Sequence, residues 1–239
     1  MGTDNTIIEL RNITFGYPSR LGILDRLDFN FSRGERIGLI GPNGSGKTTL
    51  FHIIMGLLEP QAGAIRIFGK PRDTESDFGE VREKIGLLFQ DADDQLFCPT
   101  VAEDIAFGPL NLGKTHDEAR KIVRETLETV GLVGFEDRVT HNLSGGEKKL
   151  VSLATVIAMK PEVLLLDEPT TGLDEDTTER IIDFLNSSTE LSYIIISHDQ
   201  QVLERATHCL YMMKDGKIQD VVSSRGVVMK KRKTTQTVR

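Results

Sequence analysis

The sequence predicts an α/β fold built on a largely parallel sheet. Short, wholly apolar runs alternate with helical stretches, the pattern of strands covered on both faces. A block of helices from about Gln90 to Met159 interrupts that alternation once and reads as an insertion. Ile7 to Tyr17 and Ile23 to Phe31 alternate partially and read as strands. Arg36 to Ile40 is a short apolar strand running straight into Gly41, followed by a helix over Lys47–Leu58 and a strand over Ala64–Phe68. Ile85 to Phe89 is an apolar strand ending at Gln90. Thr100-Val-Ala-Glu103 and Thr115-His-Asp-Glu118 are capping boxes, and the second opens a helix to about Val130. Ser144 to Met159 continues the helical block. After Pro161 come a strand over Val163–Leu166, a helix over 175–188, a strand over Tyr193–Ile196, a helix over 199–206 and a strand over Cys209–Met213. Lys214-Asp-Gly-Lys217 turns between the last two strands, and no internal repeat is present.

A chain of 239 residues fits one large core with a subdomain, here a single domain over 1–222 and a basic, flexible tail over 223–239. With 38% hydrophobic and 27% charged residues the composition is that of a globular protein in water. No apolar run approaches the roughly 20 residues that span a bilayer. Met1 to Leu10 is too polar for a secretory leader. The opening Met-Gly-Thr-Asp-Asn-Thr meets the loose N-myristoylation pattern, which recurs by chance. Cys98 and Cys209 make no disulfide framework, suit a reducing cytosol and are expected in packing roles. The net charge of −7 speaks against nucleic acid as the main partner. Arg225 to Arg239 carry six basic residues and no acidic one, as a solvated tail does; attraction to anionic lipid headgroups is the functional alternative.

Gly41-Pro42-Asn43-Gly44-Ser45-Gly46-Lys47-Thr48 fits G-x-x-x-x-G-K-[ST] between a strand and a helix, the context a P-loop requires. Backbone N–H groups from Asn43 to Thr48, with Thr49 beside them, are expected to cradle the phosphates of ATP. Lys47 would reach the β- and γ-phosphates and the Thr48 hydroxyl would ligate Mg²⁺. Val163-Leu-Leu-Leu-Asp167-Glu168 is an apolar run ending in two carboxylates, as a central strand does when its carboxyl end opens on a ligand. Asp167 is placed to hold Mg²⁺ through water, and Glu168 to orient or deprotonate the attacking water; alone, the pair also fits a helix cap. Tyr193-Ile-Ile-Ile-Ser197-His198 repeats the arrangement, so His198 either bonds the γ-phosphate or is an ordinary surface histidine. Gln90, also ending a strand, can sense the γ-phosphate and Mg²⁺. The Tyr17 ring can stack on adenine or pack in the core.

Leu143-Ser144-Gly145-Gly146-Glu147 has the S-x-x-E spacing of a capping box at a helix start, where free N–H groups attract anions. Each glycine in that first turn costs roughly 1 kcal/mol against alanine. That cost suits a ligand coming close to bare backbone. An ordinary capped helix is the alternative.

Taken in order, Gly41–Thr48, Gln90, Leu143–Glu147, Asp167–Glu168, Asp174 and His198 resemble the motifs of ATP-binding cassette (ABC) ATPases over about residues 7–222. The resemblance implies a P-loop NTPase core with an antiparallel β subdomain and an inserted helical subdomain. It also implies two cassettes packed head to tail, a homodimer favoured over a heterodimer. Ser144, Gly145, Gly146 and Glu147 would then meet an ATP held by the partner cassette, and Gly172-Leu173-Asp174 resembles the D-loop that crosses the interface. Leu87 to Gly113 is similar, more narrowly, to the ATPases of energy-coupling factor transporters for cobalt and nickel. In those proteins the segment after Gln90 receives helices of a transmembrane subunit, here at Asp93, Asp94, Gln95, Leu96 and Phe97. A polar surface loop with Leu96 and Phe97 plugging the core is the alternative.

Three features depart from the pattern. Ala92 stands where proline is common, and Glu147 replaces a common glutamine while keeping the capping box. The chain is also shorter than many relatives, which carry a C-terminal dimerising segment, so pairing without nucleotide is not implied. The resemblance leads to an ATPase at the cytoplasmic face of the cell membrane, with Glu168, His198, Gln90 and Lys47 as its catalytic groups. It would power cobalt or nickel uptake through separate membrane subunits, with no nucleic-acid partner. The same machinery carrying a vitamin or another ion is one alternative; a non-transport ATPase acting on nucleic acid or ribosomes is the other.

Overall fold

Strands without an exposed interior residue make the middle of the molecule a sheet covered on both faces. The computed structural model describes residues 5–223. In chain order the elements are β1 (Thr6–Tyr17), β2 (Arg20–Ser32), β3 (Arg36–Ile40), α1 (Lys47–Ile54), β4 (Ala62–Ile67), β5 (Lys70–Pro71), α2 (Glu75–Lys84), β6 (Ile85–Leu88) and α3 (Val101–Asn111). They continue with α4 (His116–Thr129), α5 (Gly145–Ile157), β7 (Val163–Asp167), α6 (Glu175–Ser187), β8 (Ser192–Ile196), α7 (Gln200–Ala206), β9 (Cys209–Lys214) and β10 (Lys217–Ser223).

The central sheet runs β10-β9-β3-β8-β7-β6, parallel except for β10, which closes one edge antiparallel to β9. Along β7, Val163 and Leu165 enter one core while Leu164 and Leu166 enter the other. Ile194 and Ile196 alternate with Tyr193 and Ile195 along β8 in the same way. A side-chain period of two with both faces apolar is what a covered parallel sheet demands.

One face is covered by α1 and by a second, antiparallel sheet ordered β2-β1-β4-β5, which contributes Ile8, Leu10, Phe29 and Phe31 to the shared core. The Asp25 N–H donates to the Gly216 carbonyl at 3.1 Å and so ties β2 to the β9–β10 turn. The other face is covered by α3 to α7, of which α3, α4 and α5 lie between β6 and β7 in the chain. The capping boxes at Thr100, Thr115 and Ser144 all form, each with its glutamate at the third helical position.

The first helix stops at Ile54 rather than Leu58. Gly56 turns left-handed (φ 68°) beneath the Phe78 ring, where a Cβ would lie 2.2 Å from the ring's Cγ. Helix α2 was not expected from the sequence: it buries only Phe78 and Val81, too few for a readable stripe, although Thr74 and Asp77 form a capping box at its start. β5 is too short for any periodicity. The myristoylation pattern's first residues and the basic run from Arg225 to Arg239 lie outside the described residues. No described helix is long and apolar enough to cross a membrane.

Candidate nucleotide site

β3 delivers the chain into the loop 41–46, and α1 begins at Lys47. The turn needs its glycines: Gly41 has φ 152° and a Cβ there would lie 2.2 Å from the Met213 carbonyl oxygen. Gly46, the N-cap of α1, is left-handed at φ 103° and brings no side-chain cap. The helix start therefore keeps its N–H groups for a ligand. Lys47 folds back so that Nζ donates to the Gly41 and Pro42 carbonyls at 2.8 and 3.1 Å. Burial draws the Lys47 pKa down, against the pull of the Asp167 and Glu168 carboxylates.

A cavity of about 410 Å³ opens beside the loop, lined among others by Tyr17, Asn43, Gly44, Thr49, Gln90 and His198. Tyr17 stands edge-on to Phe15 with its hydroxyl 3.2 Å from Thr49 Oγ1, which holds the ring at the cavity wall. Gly41, Pro42 and Ser45 shape the loop without lining the cavity, and Ser45 Oγ is buried with no hydrogen-bond partner.

β7 ends at Asp167, and there the Thr48 hydroxyl donates to Asp167 Oδ2 at 2.6 Å. Burial raises the Asp167 pKa and the neighbouring Glu168 adds to it, opposed by the Thr48 hydrogen bond and by the Lys149 and Lys47 ammoniums. Glu168 takes a left-handed backbone (φ 49°), with its N–H bonded to the Ile196 carbonyl of β8 at 2.9 Å. Its Oε2 accepts from Thr171 Oγ1 at 3.0 Å. Its Oε1 is buried with no hydrogen bond and lies 3.5 Å from Nε2 of His198, an exposed residue at the cavity rim. A buried carboxylate oxygen with no partner is positioned to take a hydrogen bond from a water. The Thr48 hydroxyl, the Asp167 carboxylate and the Gln90 amide give an oxygen donor set that fits Mg²⁺. Among the described residues no cluster of His, Cys, Asp or Glu forms a metal cage by itself.

The ABC transporter family matches residues 24–171. The chain belongs to that family. This cassette is 45% identical over 215 residues to the energy-coupling factor transporter ATP-binding protein EcfA of Methanothermobacter thermautotrophicus, covering 89% of this chain and 69% of that one. Among solved structures it resembles CbiO1 of Clostridium perfringens, part of the ABC transporter complex CbiONQ. The TM-score is 0.80 at 34% identity, over 93% of this chain and 90% of that one. It also resembles the ATP-binding cassette MJ0796 in a dimeric post-hydrolysis state bound to ADP and phosphate. There the TM-score is 0.83 at 27% identity, over 92% of this chain and all of that one. The cassette is an ATP-hydrolysing enzyme.

The rest of the expected site stands away from the cavity. Ser144 N-caps α5: its Oγ accepts from the Glu147 N–H at 3.3 Å, while Glu147 Oε2 accepts from the Ser144 N–H at 2.8 Å. These bonds hold the Glu147 carboxyl below the ordinary glutamate range, with Arg138 helping. A Cβ on Gly145 would meet nothing within 4 Å, and one on Gly146 would make ordinary contacts with Leu173 Cδ2 at 3.4 Å and the Gly172 carbonyl oxygen at 3.9 Å. Asp174 is likewise absent from the cavity and N-caps α6, accepting from the Thr177 N–H at 2.7 Å.

In the loop after Gln90 the expected contact residues divide. Gln95 turns inward, bonding the Phe89 N–H, the Ser152 carbonyl and Thr155 Oγ1, and Leu96 packs on the helical core. Phe97 does not plug the core: it is 66% exposed and stands edge-on to the exposed Phe107. Sequence reasoning missed Arg20, which lines the cavity over Gly44, and the buried Lys149. A lysine among the buried positions of α5 was the readable signal for the second. An arginine at the tip of a hairpin gives no such signal.

Proposed function

We propose that this cassette is the ATPase of an energy-coupling factor importer, at the cytoplasmic face of the membrane, driving uptake of a transition-metal ion, cobalt or nickel. The observation that carries the ATPase chemistry is the buried Glu168 Oε1 beside the Thr48–Asp167 pair. Asn43 to Thr49 hold the phosphates, Tyr17 stacks on adenine, and Lys47 releases its loop carbonyls to bind the β- and γ-phosphate oxygens. Thr48, Asp167 and Gln90 would hold Mg²⁺, which would supply positive charge for the phosphates. Glu168 accepts the proton of the attacking water through Oε1, and His198 steadies that water and the γ-phosphate.

The second half of the reading is assembly. Gly145 meets no atom of its own chain that would forbid a side chain, so its cost to the helix is explained by a ligand from outside. Ser144 to Glu147, with Asp174 near them in the interface, meet the ATP of a second copy. ATP then closes the pair, and loss of the γ-phosphate lets it reopen. The transmembrane partner docks at the loop Asp93–Phe97, where exposed Asp94 and the Phe97–Phe107 pair offer acidic and apolar groups together. The EcfA and CbiO1 likenesses support the importer class.

Cargo is set by another subunit, so the test is made on the complex. Purification in detergent is expected to bring down hydrophobic membrane subunits, and proteoliposomes of that complex should accumulate cobalt or nickel when ATP is supplied. Uptake of a vitamin instead would replace the cargo and keep the class. Recovery of ribosomes or nucleic acid in place of membrane subunits would refute the class.

A further inference from the structure

Lys149 leaves the buried face of α5 and is 4% exposed. Its Nζ donates to the Gln90 carbonyl at 2.8 Å and the Phe89 carbonyl at 3.1 Å, and lies 3.5 Å from the Asp167 carbonyl. Two of those oxygens lie just past the end of β6 and the third at the end of its neighbour β7, at the point where the chain leaves the sheet. An ammonium has three donors and no acceptor, so it suits three converging carbonyls, and bonds from a charged donor are the stronger kind. Gln95 ties the same loop to the same helix by an independent route, through Phe89 on one side and Ser152 with Thr155 on the other.

We infer that Lys149 is a positioning residue of the ATPase, a latch that makes the Gln90 loop and the start of α5 move as one body. This rests on the proposed reading that Ser144 and Gly146 meet the partner's ATP. On one side the latch reaches the residue proposed to touch the chain's own γ-phosphate. On the other it fixes, little more than one turn along α5, the glycines offered to the second nucleotide. Occupancy of one site is thereby transmitted to the surface that completes the other. A lysine that merely satisfied strand-end carbonyls would stabilise the fold without this transmission.

The test uses a Glu168→Gln background, in which ATP is expected to hold the pair closed. Adding Lys149→Met should raise the ATP concentration needed for pairing by about tenfold, while ADP affinity of the single chain stays within about twofold. Amide exchange across residues 89–98 should quicken by about tenfold with α6 unchanged. Lys149→Gln, which keeps two N–H donors, should recover most of both effects, and it carries the comparison should the methionine variant not fold. In the otherwise unaltered chain, the turnover losses of Lys149→Met and Gln90→Ala should fail to add, since both act through one loop. Pairing and exchange equal to the parent's would overturn the latch. So would a parallel fall in ADP affinity and pairing, which marks a general structural role. If Glu168→Gln itself stays monomeric with ATP, the paired-site reading falls instead, and the exchange measurement alone decides on the latch.

Discussion

The two helix starts to which the proposed function assigns a nucleotide are built in different ways. Helix α1 begins at a left-handed glycine with no side-chain cap, whereas α5 begins at Ser144 inside a complete capping box. The first leaves its N–H groups waiting for phosphate and depends on the ligand to satisfy them. The second has its Ser144 and Glu147 N–H groups bonded within the capping box before any ligand arrives, which leaves those of Gly145 and Gly146, and a Cβ on Gly145 would face open space. A chain that holds its own nucleotide at α1 can leave that end incomplete. An end that, as proposed, serves a nucleotide on another molecule has to keep its shape while alone.

The contrast breaks first at hydrolysis. Glu168→Gln should cut phosphate release by about 10² to 10⁴-fold, the usual worth of a general base, while nucleotide binding at α1 survives. Loss of binding in that variant would show that Glu168 holds the nucleotide rather than the water. The same substitution placed at the two helix starts gives the next test. Gly46→Ala forces a Cβ to 2.8 Å from Leu24 Cδ2 in a left-handed backbone, and should destabilise the chain by about 1–2 kcal/mol in urea unfolding and weaken nucleotide binding. Gly145→Ala should instead stabilise the chain by about 0.5–1 kcal/mol. It should nonetheless lower ATP-driven pairing on the order of tenfold or more, by displacing the neighbouring nucleotide. Equal signs for the two alanines in unfolding would erase the contrast.

The smallest effect is electrostatic. Glu147 is held below its ordinary pKa by the Ser144 hydrogen bonds, so its folded value is the lower one. Its contribution to stability is then fully present above the unfolded glutamate value, about 4.3, and is lost as pH falls through the lowered folded value. Glu147→Gln keeps the capping geometry and removes that acid-sensitive increment. Its melting temperature should fall less than the parent's between pH 5 and pH 3, values on the order of the carboxylate range. Turnover at neutral pH should stay within about twofold, because glutamine also completes a capping box.

How far the sequence could be read follows from how local each signal was. The P-loop, the strand ends at Asp167 and Ile196 and the capping boxes rest on neighbours in the chain, and those elements stand where the residue pattern puts them. Helix α2 was hidden because it buries only Phe78 and Val81, and the apolar pattern sees neither its Thr74–Asp77 capping box nor the ion pairs of Arg82 with Glu75 and of Arg72 with Glu80. For Lys149 the residue was legible, as a lysine on the buried face of α5, but its partners were hidden, because they are backbone carbonyls about sixty residues away. Asp174 shows the converse. Its motif was legible, but within one chain its side chain only caps a helix, and nothing local says what stands across from it.

The place of β3 in the sheet also sets when the protein can first work. The strand that carries the P-loop has two neighbours, β8 and β9, and its register runs to Ile196 on one side and Met212 on the other. A growing chain therefore makes its nucleotide loop early and holds it without a strand partner until almost the whole cassette has been synthesised. The α3–α5 insertion packs largely on itself and can order sooner. Chains released before β8 would carry every phosphate-binding residue of the loop and still have no strand beside β3 to hold them in place.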